Sequence, residues 1–155
     1  MNQLRTSLLM ALVLLVSSCD PDMVYDRFMS TPDGEWSWHN VGVFGFEITD
    51  TVSLHDIYLQ VRHTVDYPMS NLYMFVEVKG PSGQFHRDTV NMILAEPGGK
   101  WIGTGTGRLR ELRLLYRKQA RFSEAGQYSI SLEQAMRKAT LPVTDVGVRV
   151  ERVNP

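Results

Sequence analysis

The chain has 155 residues, 43% of them hydrophobic, with a formal net charge of −1 and one cysteine. That length and apolar content suit one packed domain and argue against global disorder. The near-neutral charge gives no overall basic balance for nucleic acid, and a lone cysteine excludes a disulfide within the chain.

The first predicted element is a leader. Arg5 precedes an apolar run, Leu8–Val16, which ends in Val16-Ser17-Ser18-Cys19. A charged start, a short apolar core and small residues at the cut describe a secretory signal peptide over residues 1–18. The run is about half the ~20 apolar residues that a spanning helix needs. A thiol directly after Val-Ser-Ser looks like a bacterial lipobox, in which the cysteine is acylated, for example with palmitate, and becomes the first mature residue. Cys19 is therefore the predicted lipid-attachment site. Two or three acyl chains would anchor durably where one would not. After residue 18 no apolar run approaches a membrane span.

Residues 19–35 read as a lipidated tether, with a turn at Thr31-Pro32-Asp33-Gly34 and with Tyr25 and Phe28 able to dock. Residues 36–155 read as the folded domain. Its strand candidates begin with Val41–Thr49 and with Leu54–Val65, which sets Ile57, Leu59, Val61, His63 and Val65 on one face. Leu72–Lys79 alternates Leu72, Met74, Val76 and Val78 against Tyr73, Phe75, Glu77 and Lys79. Gly80-Pro81-Ser82-Gly83 is a hairpin-type connection to Phe85–Leu94. Lys100–Ile102 is short and aromatic, and Gly103–Gly107 is a flexible connection or a bulged strand. The alternation of Leu112, Leu114 and Tyr116 favours strand over helix in Leu109–Arg117. Gly126–Leu132 turns Tyr128, Ile130 and Leu132 inward. Glu133–Lys138 reads as a short helix, capped by Ser131 with Gln134 three residues on. Val146, Val148 and Val150 alternate in the last strand.

About eight short strands with period-2 alternation predict an all-β fold of packed antiparallel sheets or a barrel. The favoured form is an antiparallel β-sandwich, jelly-roll-like or immunoglobulin-like, with one short helix near the C-terminus. No Cys…Trp…Cys pattern marks a true immunoglobulin domain.

Catalytic chemistry has no local signature. His39, His55, His63 and His86 form no HExxH and no i,i+4 pair, and His63 sits on an apolar face as a core or sheet-edge histidine. Gly103, Gly105 and Gly107 lack the GxGxxG spacing and its strand–turn–helix setting. There is no GxSxG elbow and no local carboxylate pair. The expectation is a non-enzyme with no metal, cofactor or small-molecule substrate. Binding candidates are the aromatics Trp36, Trp38, Tyr58, Tyr73, Phe75 and Trp101. The charge is uneven: acidic residues dominate Asp20–Asp56, and basic ones dominate Arg108–Arg121. Such faces are solvated surfaces, or they dock a partner or an anionic membrane. The predicted interaction surface combines Tyr73, Phe75, Trp101, Arg113 and Arg117. An alternative use of the aromatics is a carbohydrate-binding surface module, which requires a flat exposed platform.

Several stretches together resemble the gliding-motility lipoprotein family GldH. They are VSSC at 16–19, DYPMSNLYMFVEVKGPSG at 66–83, DTVNMILAEPGGKWIGTGTG at 88–107, GQYSISLEQAMR at 126–137 and DVGVRVE at 145–151. Their order covers nearly the whole mature chain. The resemblance implies a non-enzymatic outer-membrane lipoprotein, an accessory of the gliding machinery linked to type IX secretion. It implies partners among other gliding and secretion proteins of the envelope, and a lipid anchor on the periplasmic or cell-surface face. Asp20 and Asp22, split by Pro21, match neither an inner-membrane retention signal nor an acidic export cluster.

Overall fold

A computed structural model describes residues 20–153. The signal peptide and Cys19 lie outside the described residues. Ten strands follow in order: β1 (Met23–Ser30), β2 (Trp36–Ser37), β3 (Gly42–Ile48), β4 (His55–Thr64), β5 (Asn71–Lys79), β6 (Phe85–Ile93), β7 (Leu109–Ala120), β8 (Gly126–Gln134), β9 (Thr140–Leu141) and β10 (Val143–Arg152). They form one sheet in the order β1-β10-β4-β7, a second in the order β3-β8-β5-β6, and a small β2–β9 ribbon. Every pairing is antiparallel.

The alternation read from the sequence is what packs the two large sheets face to face. Ile57, Leu59, Val61, Val146, Val148 and Val150 project from one sheet. Phe44, Phe46, Leu72, Met74, Val76, Ile130 and Leu132 project from the other, and all join one buried cluster. Successive strand side chains point to opposite faces, so each strand gives alternate residues to the core and the rest to water. Full burial of one such aliphatic side chain contributes roughly 1.5–3 kcal/mol. The β2–β9 ribbon sets Trp36 opposite Leu141, both fully buried. The Trp36 indole donates to the Asn40 carbonyl at 2.7 Å.

Two expectations are corrected. Most of the 19–35 tether is folded: Met23–Ser30 is an edge strand along β10, from Met23 opposite Glu151 to Ser30 opposite Asp145. The sequence hid this because the strand mixes apolar and charged residues. Tyr25 and Met29 pack against the core, while Asp26 and Phe28 lie against the outer face. The helix at Glu133–Lys138 is also absent. β8 continues to Gln134, and residues 135–139 form an open loop. Glu133 and Gln134 are held in register with Phe75 and Met74, which leaves too few residues to nucleate a helix.

The glycine-rich stretch folds back on β7. Thr104 and Glu111 exchange backbone hydrogen bonds at 3.0 and 2.7 Å. A Cβ on Gly103 would stand 2.7 Å from the Glu111 carbonyl oxygen, so only glycine permits that approach.

His55 and His63 are buried on the core face of β4. The His63 Nδ1 lies 2.9 Å from the Thr64 carbonyl, which can only accept, so Nδ1 carries the proton. Nε2 is then a bare acceptor among the Tyr67 and Trp101 rings. Burial lowers the pKa of both histidines, and the Asp50 carboxylate only partly offsets this at His55. Unfolded, each ring takes a proton near a pKa of about 6.5. Below that value the unfolded chain binds more protons than the folded one. The contribution is therefore whole above about pH 6.5 and is lost as pH falls toward the folded values. Thermal unfolding followed by circular dichroism should show a midpoint that falls between about pH 7.5 and 5.5. A midpoint flat across that window would refute the neutral, buried histidines.

Candidate functional site

A predominantly apolar concavity lies where β5 begins and β8 ends. Met69, Tyr73, Ala135, Met136, Arg137 and Lys138 line a groove of about 420 Å³. Gln134, almost fully buried, builds it. Its amide nitrogen donates to the carbonyls of Lys138 and Ala139 at 2.8 and 3.4 Å, and its oxygen accepts the Met136 amide at 2.9 Å. One side chain thus winds the loop around itself in place of a helix. The Ala135 amide donates to the Tyr73 carbonyl at 2.8 Å, and the Tyr73 amide lies 3.2 Å from the Met136 sulfur. Trp38 borders the groove, its indole donating to the Met136 carbonyl at 3.0 Å. Trp38 and Tyr73 keep 43% and 41% of their surface exposed, unusual for rings outside a binding surface. Methionine is unbranched and polarizable and moulds to varied apolar partners. Arg137 and Lys138 add two cations to the groove wall, their stems covering apolar surface.

The groove suits an apolar, acidic segment and offers no reaction chemistry. Among the described residues no three His, Cys, Asp or Glu side chains come together as a metal-binding set.

The residues expected to form one interaction surface are dispersed. Tyr73 is in the groove. Phe75, two residues on along the same outer face, lies under the Arg87 guanidinium, 4.6 Å from ring centroid to carbon. Arg87 in turn pairs with Glu133 at 2.8 Å. Trp101 packs edge-on against His63 at 4.6 Å and belongs to the core margin. Arg113 lies on the outer face of the other sheet, 5.7 Å over Tyr58 and 3.7 Å from Glu151. Arg117 sits on the seam where β7 faces β6. It pairs there with Asp88, which also accepts the Tyr116 hydroxyl at 2.6 Å and contacts His86 at 2.9 Å. The Tyr116 hydrogen bond leads the groups that hold the Asp88 carboxyl below its ordinary range, and burial raises the Tyr116 hydroxyl to about 12. This cluster clasps one sheet to the other.

Three arginines of the basic run meet carboxylates: Arg108 pairs with Asp66, Arg113 lies 3.7 Å from Glu151, and Arg117 pairs with Asp88. Arg110 donates to the carbonyls of Gly107 and Leu109, and Glu111 takes Arg62 at 2.8 Å. A second polar cluster, not foreseen, centres on Arg149 on the outer face of β10. It ion-pairs with Asp20, Asp26 and Glu151, and Asp26 also accepts from Gln60 at 2.8 Å. These hydrogen bonds outweigh desolvation and raise the Arg149 pKa.

Of the rings a sugar-stacking platform would use, Trp36 is core and Phe75 lies under Arg87, while Trp38 and Tyr73 stay exposed at the groove. Met69, Met136, Arg137 and Lys138 were missed as groove residues. Their one sequence signal was two methionines in polar loops outside any period-2 pattern.

Replacing Gln134 by Leu keeps the side-chain volume but removes its three hydrogen bonds to the loop backbone. Stability should fall by about 1–3 kcal/mol. Hydrogen exchange at the Met136 amide, which Gln134 accepts, should rise by more than the global loss explains. Exchange that tracks global unfolding alone would show that Gln134 does not shape the loop.

Comparison with known proteins bears on this geometry. A family profile described as GldH lipoprotein matches residues 23–150. A gliding motility lipoprotein GldH homolog from Christiangramia forsetii is 35% identical over 150 residues, covering 90% of each chain. The gliding motility lipoprotein GldH of Flavobacterium johnsoniae is 28% identical over 156 residues, covering 96% of each. Among solved structures, that of infectious bursal disease virus, Gx strain, aligns over 88% of this chain and 33% of the viral one. Its identity is 11% and its TM-score 0.29, too low to bear on fold or function.

Proposed function

Because the chain belongs to the GldH lipoprotein family, we propose that it is a non-enzymatic accessory lipoprotein of the gliding-motility machinery, linked to type IX secretion. The family match across nearly the whole folded region carries this reading. The relatives are named as gliding motility lipoproteins, and neither name describes an enzyme. Residues 1–18 serve as the signal peptide, Cys19 bears the acyl chains, and the chains hold the protein in the outer membrane. Partners are other envelope proteins of the gliding and secretion apparatus. They dock at the groove of Tyr73 and Met136 rather than on the dispersed arginines.

Two measurements test these assignments. Metabolic labelling with a clickable fatty acid should mark the wild type and leave Cys19→Ala unlabelled, while the substituted domain still folds because no cysteine partner is lost. Wild type that takes up no label, or a Cys19→Ala protein that still labels, would refute lipidation at Cys19. For the groove, Tyr73→Asp with Met136→Asp should reduce recovery of envelope partners from cross-linked membranes by about tenfold or more, the scale of a lost interface hot spot. Equal recovery from a variant with an unchanged unfolding midpoint would remove the groove from partner binding.

A further inference from the structure

Resting on the acylation of Cys19 proposed above, we infer that the end of the sandwich carrying Val52 and Phe85 lies in the lipid headgroup layer. The domain is then seated on the bilayer rather than hung from it.

Position comes first. Asp20, one peptide unit from Cys19, is already part of the fold. Its carboxylate ion-pairs with Arg149 and accepts the Asp22 amide at 3.2 Å, and its carbonyl accepts the Met23 amide at 3.3 Å. β1 begins at Met23. Neighbouring Cα atoms are about 3.8 Å apart, so acyl chains on Cys19 leave the protein almost at its surface. A flexible tether of a dozen or more residues would let the domain float free, and here that length of chain is a strand.

The surroundings of that exit point follow from the register. The Arg152 amide donates to the Asp22 carbonyl at 2.7 Å, and the Val153 amide donates to the Leu54 carbonyl at 2.8 Å. The Arg152 guanidinium lies 3.7 Å from the Asp50 carboxylate. The loop between β3 and β4 is thereby fixed beside the N-terminus. On the same end lie the β5–β6 hairpin and the β7–β8 connection, where Pro81 approaches Gly126.

Three exposed apolar side chains, Val52, Phe85 and Met23, lie at this end. Val52 is 78% exposed and Phe85 67%, the two highest values among the large apolar residues of the described chain. Met23, at the start of β1, is 42% exposed. Val52 is not a loose tip. Asp50 accepts its amide at 2.9 Å, the Ser53 amide at 3.0 Å and the Ser53 hydroxyl at 2.6 Å, which closes a tight turn with the valine on its outside. Phe85 opens β6 opposite Lys79 on the rim of the other sheet. Apolar groups held rigidly outward beside an acyl anchor fit the boundary between headgroups and chains, where even modest apolar area adds to binding. β5 runs away from this end over nine residues, about 30 Å, so the Tyr73–Met136 groove faces away from the bilayer.

The lone cysteine makes the test direct. Once Cys19 is acylated, Val52→Cys, Phe85→Cys and Ile93→Cys each carry one reactive thiol. Ile93 marks the opposite end. Each lipidated protein would be labelled with an environment-sensitive fluorophore and placed in vesicles of phosphatidylethanolamine and phosphatidylglycerol, with and without headgroup nitroxide lipid. Labels at 52 and 85 should shift to the blue and be quenched several-fold by the nitroxide, and the label at 93 should do neither. Protein that floats with the vesicles but leaves 52 and 85 as aqueous as 93 would overturn the inference while sparing the anchor. An equal blue shift in the acyl-free domain without vesicles would assign the patch to contact between protein molecules and overturn it too. Protein that does not float would overturn the anchor and this inference together.

Discussion

The pairing of β1 with β10 is the contact on which the rest of the molecule depends. It joins the residues that follow Cys19 to the last strand of the chain, from Met23 opposite Glu151 to Ser30 opposite Asp145. β10 in turn pairs with β4, so the last and fourth strands form the middle of one sheet and the first closes its edge. Val146, Val148 and Val150 send their side chains from β10 into the core. The first strand has no partner until the last has been made, a non-local closure of the kind that slows folding.

Polar side chains reinforce this closure where the core cannot. Arg149 draws Asp20 and Asp26 of the N-terminal segment onto β10, with Glu151 completing the charge. Phe28 lies over Gly147, where a Cβ would come within 2.9 Å of its ring, and Arg62 covers the other side of that ring at 3.9 Å. At the opposite margin Asp88 holds Tyr116 and Arg117 across the seam between the sheets. Part of the charge that looks like a docking surface in the linear sequence is consumed in such internal matches. The groove, by contrast, keeps the exposed rings of Trp38 and Tyr73, which is the basis of the docking role proposed for it.

The sandwich is thus polarised along its strands. Its chain enters at one end, beside Val52 and the C-terminal residues, and its groove opens at the other. Strand length alone separates the two by about 30 Å. An accessory lipoprotein built this way would present its partner site at a set height and orientation, because so little slack lies between the acylated residue and the first strand. Loop motion would matter little to that presentation, since Gln134 at one end and Asp50 at the other hold their loops by three hydrogen bonds each.

The sequence by itself determined the all-β class and the central strands, and it is the sole basis for the expected lipobox-like leader. These are short-range patterns: period-2 alternation in β3, β4, β5, β8 and β10, turn residues between them, and a charged start before a short apolar run. The family was legible in the order of five motifs. Only the tertiary structure decided the remainder. β1 alternates too weakly to declare itself, and its partner lies more than a hundred residues away. The sequence pattern at Ser131–Lys138 satisfies a helix cap, but pairing with β5 holds Glu133 and Gln134 extended and turns Gln134 inward to wind the loop. Trp36 and Trp38 look alike in sequence, and alternation alone would put residues two apart on one face; β2 ends at Ser37 and the chain turns at Trp38, so one ring is fully buried and the other borders the groove. The arginines of β7 scatter as well. Which face each occupies, and which carboxylate waits there, depends on strand register and on a sheet order that no local pattern records.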